Sequence, residues 1–326
     1  MKALRITALS PDLSGCALVT TDRPDPRPGE ALVRVGAVSL NFPDLLMTQG
    51  LYQLKPELPF TPGMDVAGEI VSAPADSGYA PRDAVVAGTR LGGMAEFVSV
   101  PASALRPIPG TLSFPAAAAY GAAYRTAWTA LVELGGLKPG QWVLIHGATG
   151  GVGAAAVDLA KALGARVIAT SGSPRKLERI AEVYAPDATL LAEGRFREGV
   201  ADATGGVLAD LVYDPVGGDV FDESTRCVAF GGKLLVVGFT SGRIPHVDVN
   251  IPLIKGFSIV GVRAGEYARR FPERGAAIGE HIDSMLAQGR LSPLIDRVLS
   301  LARWREGFSA MANRDLVGKV VFEPGA

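Results

Sequence analysis

A glycine-rich turn between two apolar stretches is the part of the sequence with the clearest chemical meaning. It contains Gly147-x-x-Gly150-x-x-Gly153, after a run that predicts a strand (142–146) and before one that predicts a helix (152–163). Glycines at this spacing let the chain turn sharply and bring backbone N–H groups against a pyrophosphate at the start of the helix. We therefore predict a dinucleotide site, the alternative being a tight turn that binds nothing. The expected contacts come from Gly147, Ala148, Thr149, Gly150, Gly151 and Val152.

The end of the next predicted strand indicates which dinucleotide binds. Residues 170–176 include Ser171, Arg175 and Lys176 and no acidic residue. An NAD site needs a carboxylate here for the ribose hydroxyls, whereas the 2'-phosphate of NADPH favours hydroxyls and cations. Two charge-assisted hydrogen bonds of about 1.5 kcal/mol each favour NADPH about a hundredfold. If Arg175 and Lys176 only form the solvated face of a helix, this preference is absent.

The elements around the turn predict a doubly wound parallel sheet, because strand-like and helix-like runs alternate. The first 110 residues predict a mostly-β unit, a partly open barrel, with one helix at 42–49 and Asn41 as its N-cap. Residues 265–326 contain a predicted helix (276–288) and two strands, and the pattern alone leaves open which domain they join. The remaining β runs are 166–170, 208–213, 233–238 and 258–262, and the helices between them are 174–184 and 221–229.

Composition excludes several classes of protein. A chain of 326 residues favours two domains. Its net charge of -1 gives no basis for nucleic-acid or membrane binding. The two cysteines, Cys16 and Cys227, exclude a disulfide framework. The most apolar segment, 115–132, is interrupted by Arg125 and predicts a buried helix. We expect a cytoplasmic enzyme.

Further motifs carry a family resemblance that runs nearly from end to end. They are Asn41-Phe42-Pro43-Asp44, Gly50-Leu51-Tyr52, the Gly- and Pro-containing segment 59–68, and the segments 126–131, 138–141, 214–218 and 255–261. Together with the glycine turn, they resemble the medium-chain dehydrogenase/reductase superfamily, specifically its zinc-free quinone oxidoreductase (zeta-crystallin-like) branch.

The resemblance implies a fold, an assembly and an activity. The fold is a GroES-like, mostly-β catalytic domain (1–121 and 264–326) with a Rossmann domain (122–263) between its two parts. The assembly is a homodimer or tetramer joined by Rossmann sheet edges. The activity is transfer of a hydride from NADPH to a quinone or other small conjugated carbonyl, such as an enone.

The resemblance also implies residue roles. Tyr52 matches a proton donor of enoyl-thioester reductases, although it is equally consistent with a pocket wall. Asn41 matches a polar residue of the catalytic cleft that replaces a metal ligand, and it can also act as the helix cap. Cofactor contacts are implied for Thr126, Phe239, Thr240, Asn250 and Arg263.

Zinc is not expected. Metal-dependent relatives need a Cys or His near position 41 and a four-cysteine lobe, and this chain has neither. Its three histidines (His146, His246 and His281) are far apart in sequence, and we interpret His146 as structural or as an outer contact. One departure concerns the cofactor: relatives often have a tyrosine near 191–195 that helps to hold the 2'-phosphate. Here residues 191–195 lack the tyrosine and include an acidic residue, Glu193, which narrows the expected margin of NADPH over NADH. Arg195 is a candidate to compensate for the missing tyrosine, and NADPH stays the expected cofactor.

Three other functions compete with this one. A short-chain dehydrogenase is excluded, because no tyrosine has a lysine four residues later. An enoyl-thioester or alkenal reductase uses the same machinery with a different acceptor. For a phosphate-bearing thioester, Arg269, Arg270 and Arg274 would form a basic rim, or else they are a solvated turn. A non-catalytic NADPH-binding protein is the third possibility, although such a protein is expected to lose the polar groups Asn41 and Tyr52.

Overall fold

The computed structural model describes residues 1–325, which form two compact units. The first unit comprises residues 1–122 and the segment from Pro293 onward, and the second comprises Ala123–Ser292. The resemblance implies a boundary at 121/122, and the first segment of this unit ends at residue 122. The later boundary differs, because the structure places residues 264–292 in the second unit. There Arg125 Nη1 donates to the carbonyl of Gly275 (3.1 Å), and the Tyr267 hydroxyl donates to Glu133 (2.8 Å).

The secondary structure alternates as the sequence predicts. The strands are β1 (Lys2–Ile6), β2 (Cys16–Thr20), β3 (Glu30–Ser39), β4 (Asp65–Ser72), β5 (Ala84–Gly88), β6 (Phe97–Pro101), β7 (Leu105–Pro107), β8 (Trp142–Ile145), β9 (Arg166–Ser171), β10 (Ala188–Leu191), β11 (Ala209–Asp214), β12 (Val228–Val236), β13 (Ser258–Gly261), β14 (Ile295–Ser300) and β15 (Lys319–Glu323). The helices are α1 (Phe42–Thr48), α2 (Phe114–Trp128), α3 (Gly151–Ala162), α4 (Pro174–Tyr184), α5 (Arg197–Thr204), α6 (Gly218–Ser224), α7 (Asn250–Lys255), α8 (Ala264–Arg270), α9 (Pro272–Ala287) and α10 (Trp304–Ala312).

The first unit is mostly β. Its larger sheet has the order β14-β15-β3-β4-β5-β7, with β6 also paired to β3, and β1 pairs with β2. Most of β3 is buried, with Arg34 exposed between Val33 and Val35, because β3 lies inside the sheet between β4 on one side and β6 and β15 on the other. The C-terminal strand β15 pairs with β3, with Val321 opposite Ser39. Both ends of the chain therefore build this unit.

The second unit is a parallel sheet in the order β10-β9-β8-β11-β12-β13, which confirms the doubly wound prediction. Val143, Leu144 and Ile145 of β8 are all fully buried, because helices cover both faces of a parallel sheet. The strand order reverses between β8 and β11. Ligands in open α/β sheets bind at the carboxyl ends of the strands at such a reversal. The glycine turn, which follows β8, lies at this position.

One predicted helix is shorter than expected. The run 221–229 is predicted as a helix, but α6 ends at Ser224 and β12 begins at Val228. Val228 pairs with Ala209, and the register then shifts before Leu211. Apolar spacing allows either a helix or a strand for such a short run, and pairing with β11 decides it.

Among residues 1–325, no helix combines the length and the apolar character needed to cross a membrane.

Candidate functional site

The glycine turn has the geometry that a pyrophosphate requires. Gly147 has a positive φ (57°), and its carbonyl accepts a hydrogen bond from the Gly150 N–H (2.9 Å). Gly150 caps α3, and a Cβ there would meet only the Gly147 oxygen, at 3.5 Å, so the space beside it is open. A Cβ on Gly153 would lie 2.1 Å from the same oxygen. The turn is thus tightly packed at Gly153 and open at Gly150, and the open space at the start of α3 fits a phosphate.

The structure brings this turn together with Ser171, one of the three residues predicted to select NADPH. The Ala148 N–H donates to the carbonyl of Thr170 on β9 (2.9 Å). The hydroxyls of Thr149 and Ser171 are 3.3 Å apart. Arg175 and Lys176 lie on the first turn of α4, where Arg175 is exposed and Lys176 half-buried. Hydroxyl and cationic groups next to the pyrophosphate turn fit the additional phosphate of NADPH.

His146 lies beneath the turn and joins three elements. Its Nδ1 is 2.8 Å from the Thr170 hydroxyl, and its Nε2 is 2.8 Å from the Ser224 hydroxyl. Ser224 donates to the carbonyl of Val220 (2.6 Å), so it accepts from Nε2–H, and Nδ1 accepts from Thr170. His146 is fully buried, and burial lowers its pKa to about 3. The imidazole is therefore neutral and packs the turn against β9 and α6, which supports the structural interpretation.

The loops after β11 and β12 lie against each other at the same edge of the sheet. The Thr240 N–H donates to the carbonyl of Pro215 (3.0 Å), and a Cβ on Gly217 would lie 2.9 Å from the Phe239 ring. Asp214 ends β11, and one of its carboxylate oxygens accepts the N–H groups of Val216 (2.8 Å) and Gly217 (2.9 Å). These contacts place Phe239 and Thr240 at the carboxyl edge of the sheet. Asp214 is missing from the predicted site residues, although its turn motif is part of the resemblance.

Three other predicted cofactor residues lie on elements away from the glycine turn in sequence. Thr126 lies half-buried on α2, Asn250 is exposed at the start of α7, and Arg263 precedes α8. No contact in the described residues connects Asn250 or Arg263 to Ser171 or to the glycine turn. Their roles stay predictions.

Asn41 is the centre of a buried polar cluster in the first unit. It occupies the N-cap position of α1, as predicted, and its N–H donates to the Asp44 carboxylate (2.9 Å). Its Nδ2 donates to Asp65 (2.9 Å), and its Oδ1 accepts from Lys319 Nζ (2.6 Å). The other oxygen of Asp44 accepts the Gly63 N–H (2.8 Å). Both ends of the Asn41 amide are therefore bound within the protein.

Burial controls the electrostatics of this cluster. It raises the pKa of Asp44 to about 7, against the hydrogen bonds from Asn41 and Gly63 and the charge of Lys319. It lowers the pKa of Lys319, which the carboxylates of Asp65 and Asp44 oppose. Sequence reasoning missed Lys319 and Asp65. Asp44 carried a signal, because a side-chain acceptor three residues after an N-cap is the capping-box spacing, but Lys319 is too distant in sequence for any local pattern.

Tyr52 follows α1 in a turn, is half-buried, and packs against the core of the first unit. This placement agrees with both interpretations from the sequence, a proton donor and a pocket wall.

The His, Cys, Asp and Glu side chains of the described residues are not arranged to bind a zinc ion. Within the part of the chain that the structure describes, no three His, Cys, Asp or Glu side chains are grouped so as to hold a metal. Cys16 and Cys227 are both buried, and burial raises the pKa of each thiol, to about 11 and about 12. Neither thiol favours the thiolate form that metal binding requires.

The fold defines a two-domain protein with a GroES-like unit and a Rossmann unit, and comparison with known proteins identifies its family as one of oxidoreductases. The family model described as "Alcohol dehydrogenase GroES-like domain" matches residues 27–110, and "Zinc-binding dehydrogenase" matches 151–278. The chain is 37% identical over 302 residues to a "Quinone oxidoreductase-like protein 2 homolog" of Nematostella vectensis, covering 90% of this chain and 82% of that protein. It belongs to the medium-chain dehydrogenase/reductase superfamily, in the quinone oxidoreductase branch.

Two further similarities bear on function. A solved structure of the quinone oxidoreductase from Thermus thermophilus, studied with its NADPH complex, superimposes with a TM-score of 0.84 at 32% identity, covering 99% of this chain and 100% of the other. A segment of a phenolphthiocerol/phthiocerol polyketide synthase of Mycobacterium tuberculosis is 32% identical over 314 residues, which is 91% of this chain and 14% of that protein.

The burial of His146 predicts an acid-dependent loss of stability. Its pKa falls from 6.5 to about 3 on folding, so the unfolded state takes up the proton first as the pH drops. This group's contribution is complete above the unfolded pKa and is lost at about 1.4 kcal/mol per pH unit below it. We expect the difference in unfolding free energy between wild type and His146→Gln to shrink as the pH falls from about 7 to about 4.5.

Urea unfolding followed by tryptophan fluorescence at each pH measures this difference. Ser224→Ala is the control, because it removes one hydrogen bond but keeps the buried imidazole, and so it retains the wild-type pH dependence. A difference between wild type and His146→Gln that stays constant over this range would contradict the neutral, buried imidazole.

Proposed function

We propose that this protein is an NADPH-dependent oxidoreductase that delivers a hydride to a quinone or another small conjugated carbonyl without zinc. The observation that carries the proposal is the open glycine turn, whose Thr149 hydroxyl lies 3.3 Å from that of Ser171, with Arg175 and Lys176 on the adjacent helix turn. The membership of the quinone oxidoreductase branch supports the acceptor class.

The residues of the second unit bind and orient the cofactor in this proposal. Backbone N–H groups at the start of α3 hold the pyrophosphate, and the open space at Gly150 admits it. Ser171, Arg175 and Lys176 hold the 2'-phosphate. Phe239 and Thr240, at the carboxyl edge of the sheet, hold the ribose and nicotinamide end. When bound, NADPH supplies the hydride. Fixed orientation of the reactants provides much of the rate enhancement.

A proton must reach the oxygen on which charge develops after hydride transfer. Tyr52 is the proposed donor, because a phenol at this position matches the donor of related thioester reductases. Asn41 is expected from the sequence to line the catalytic cleft or to cap α1, and both ends of its amide already have partners in Lys319 and Asp65. Its proposed role is to hold the surrounding segments in place.

A second candidate is reduction of an enoyl thioester or alkenal, and the match to a polyketide synthase segment supports it. The proposed basic rim does not add support. Arg269 and Arg270 both pair with Glu266, and Arg274 donates to the Tyr267 hydroxyl. NADPH oxidation measured with quinones, enones, alkenals and enoyl thioesters distinguishes the two candidates. Tight NADPH binding without turnover on any of them would favour a non-catalytic protein.

The cofactor proposal predicts a selective loss of NADPH affinity. In the double variant Arg175→Ala/Lys176→Ala, the 2'-phosphate loses two charge-assisted partners, so we expect NADPH to bind about tenfold to a hundredfold more weakly. NADH affinity should change little, because NADH has no such phosphate. Fluorescence titration with both nucleotides measures the effect. Arg179→Ala, an exposed arginine of the same helix that pairs with Glu182, is the matched control. Equal losses for the two nucleotides would contradict the assignment.

The proton-donor proposal predicts a kinetic effect at Tyr52. Tyr52→Phe should lower turnover on enones by about a hundredfold, the usual contribution of general acid catalysis, while NADPH binds as before. Steady-state kinetics and nucleotide titration separate the two quantities. Tyr79→Phe serves as the control, because that hydroxyl only donates to the carbonyl of Leu105. Unchanged turnover would make Tyr52 a wall of the pocket.

We also propose that two copies associate through the β13 edge of the parallel sheet. Among residues 1–325, β13 pairs only with β12, so its outer edge is open to another strand. Large apolar side chains lie on the adjoining segments, each between 76% and 88% exposed: Phe230, Val249, Leu253 and Ile254. An exposed apolar patch next to an open strand edge is typical of an interface, and a second copy of the same edge completes the sheet.

This association predicts a change in mass. Leu253→Glu/Ile254→Glu places charge in the patch and should convert a dimer into a monomer, as measured by light scattering with size-exclusion chromatography. Val207→Glu changes an exposed valine of the same unit outside the patch and should leave the mass unchanged. A wild-type monomer at micromolar concentration would contradict the proposal.

A further inference from the structure

A carboxylate lies beside the part of the second unit to which we assign the 2'-phosphate. Beyond the pairing of Leu191 with Ser171, the Ala192 N–H donates to the carbonyl of Ser171 (3.0 Å). This bond carries the chain after β10 alongside the chain after β9. The nearest atom to a Cβ built on Gly172 is Oε1 of Glu193, at 3.9 Å. The Glu193 carboxylate therefore lies against the backbone that follows β9.

This position matters because the end of the second strand is where dinucleotide-binding folds distinguish the two cofactors. A carboxylate there accepts hydrogen bonds from the ribose hydroxyls of NADH and repels the 2'-phosphate of NADPH. In this chain β9 and the turn after it have no acidic residue. The carboxylate comes instead from the loop after the neighbouring strand, and Gly172 has no side chain to separate the two.

Opposing charges are present on the same surface. Arg175 and Lys176 lie on the first turn of α4, and Arg195 follows Glu193 by two residues. Their cations attract the 2'-phosphate and the Glu193 carboxylate opposes it. Glu193 is exposed, so it acts through water and its effect is moderate and sensitive to salt.

We propose that Glu193 limits the preference for NADPH that Ser171, Arg175 and Lys176 provide, by accepting a ribose hydroxyl of NADH and repelling the 2'-phosphate of NADPH. This inference rests on the proposed dinucleotide function. Glu193 would discriminate between the two cofactors from the loop after β10, and not from the end of β9, where such a carboxylate usually lies.

The test compares wild type with Glu193→Gln, which removes the charge and keeps the size of the side chain. Dissociation constants are measured by fluorescence for NADPH and NADH, and by calorimetry for adenosine 2',5'-bisphosphate and AMP. We expect two ratios of affinity to rise about tenfold in Glu193→Gln, that of NADPH to NADH and that of adenosine 2',5'-bisphosphate to AMP. The reason is that the variant has no negative charge near the 2'-phosphate. Glu182→Gln, an exposed glutamate of α4 paired with Arg179, should leave the preference unchanged.

The outcomes separate the two proposals. If wild type binds both nucleotides but Glu193→Gln shows the same preference, Glu193 does not discriminate and only this inference fails. If the preference rises equally in Glu182→Gln, the effect is general electrostatics and the inference also fails. If wild type binds none of the four nucleotides, the dinucleotide function itself is wrong.

Discussion

The close contact between α3 and the strand before it constrains the whole second unit. At Gly153 only a hydrogen fits, because a Cβ would lie 2.1 Å from the carbonyl oxygen of Gly147. This contact brings the start of α3 to the end of β8, at the place where the strand order reverses. The other features of the candidate site follow from it: Thr149 reaches Ser171, and His146 packs beneath the turn against Thr170 and Ser224.

The first unit depends on a different kind of constraint. Lys319, Asp44 and Asp65 are buried charged residues, and a buried charge is costly unless it has partners. Asn41 links all three: its amide accepts from the Lys319 ammonium and donates to the Asp65 carboxylate, and its backbone N–H donates to Asp44. The cluster therefore fixes three separate chain segments with one set of directional contacts. Removing Asn41 would take one partner from Asp65 and one from Lys319, although Asp65 would keep the N–H of Ala122 and Asp44 that of Gly63.

Patterns within short stretches of the sequence were sufficient to predict much of the fold and part of the candidate site. The glycine spacing, the alternation of strands and helices, and the N-cap at Asn41 are all visible within a few residues of sequence. The resemblance implied the return of the C-terminal strands to the first unit. Sequence could not give the partners of Asn41, because Lys319 and Asp65 reach it only through sheet pairing. It also could not place residues 264–292, whose assignment depends on contacts such as that between Arg125 and Gly275.

Because β15 carries Lys319 and lies between β14 and β3, the order of synthesis affects how the two units form. Lys319 comes 278 residues after Asn41. Every residue of the second unit is synthesised before this strand is made. The second unit can thus complete its parallel sheet during translation, whereas in the first unit the Val38 and Ser39 end of β3 lacks its β15 partner, and the Asn41 cluster lacks Lys319, until β15 is made. The first unit therefore begins to be synthesised before the second unit and completes its sheet after it.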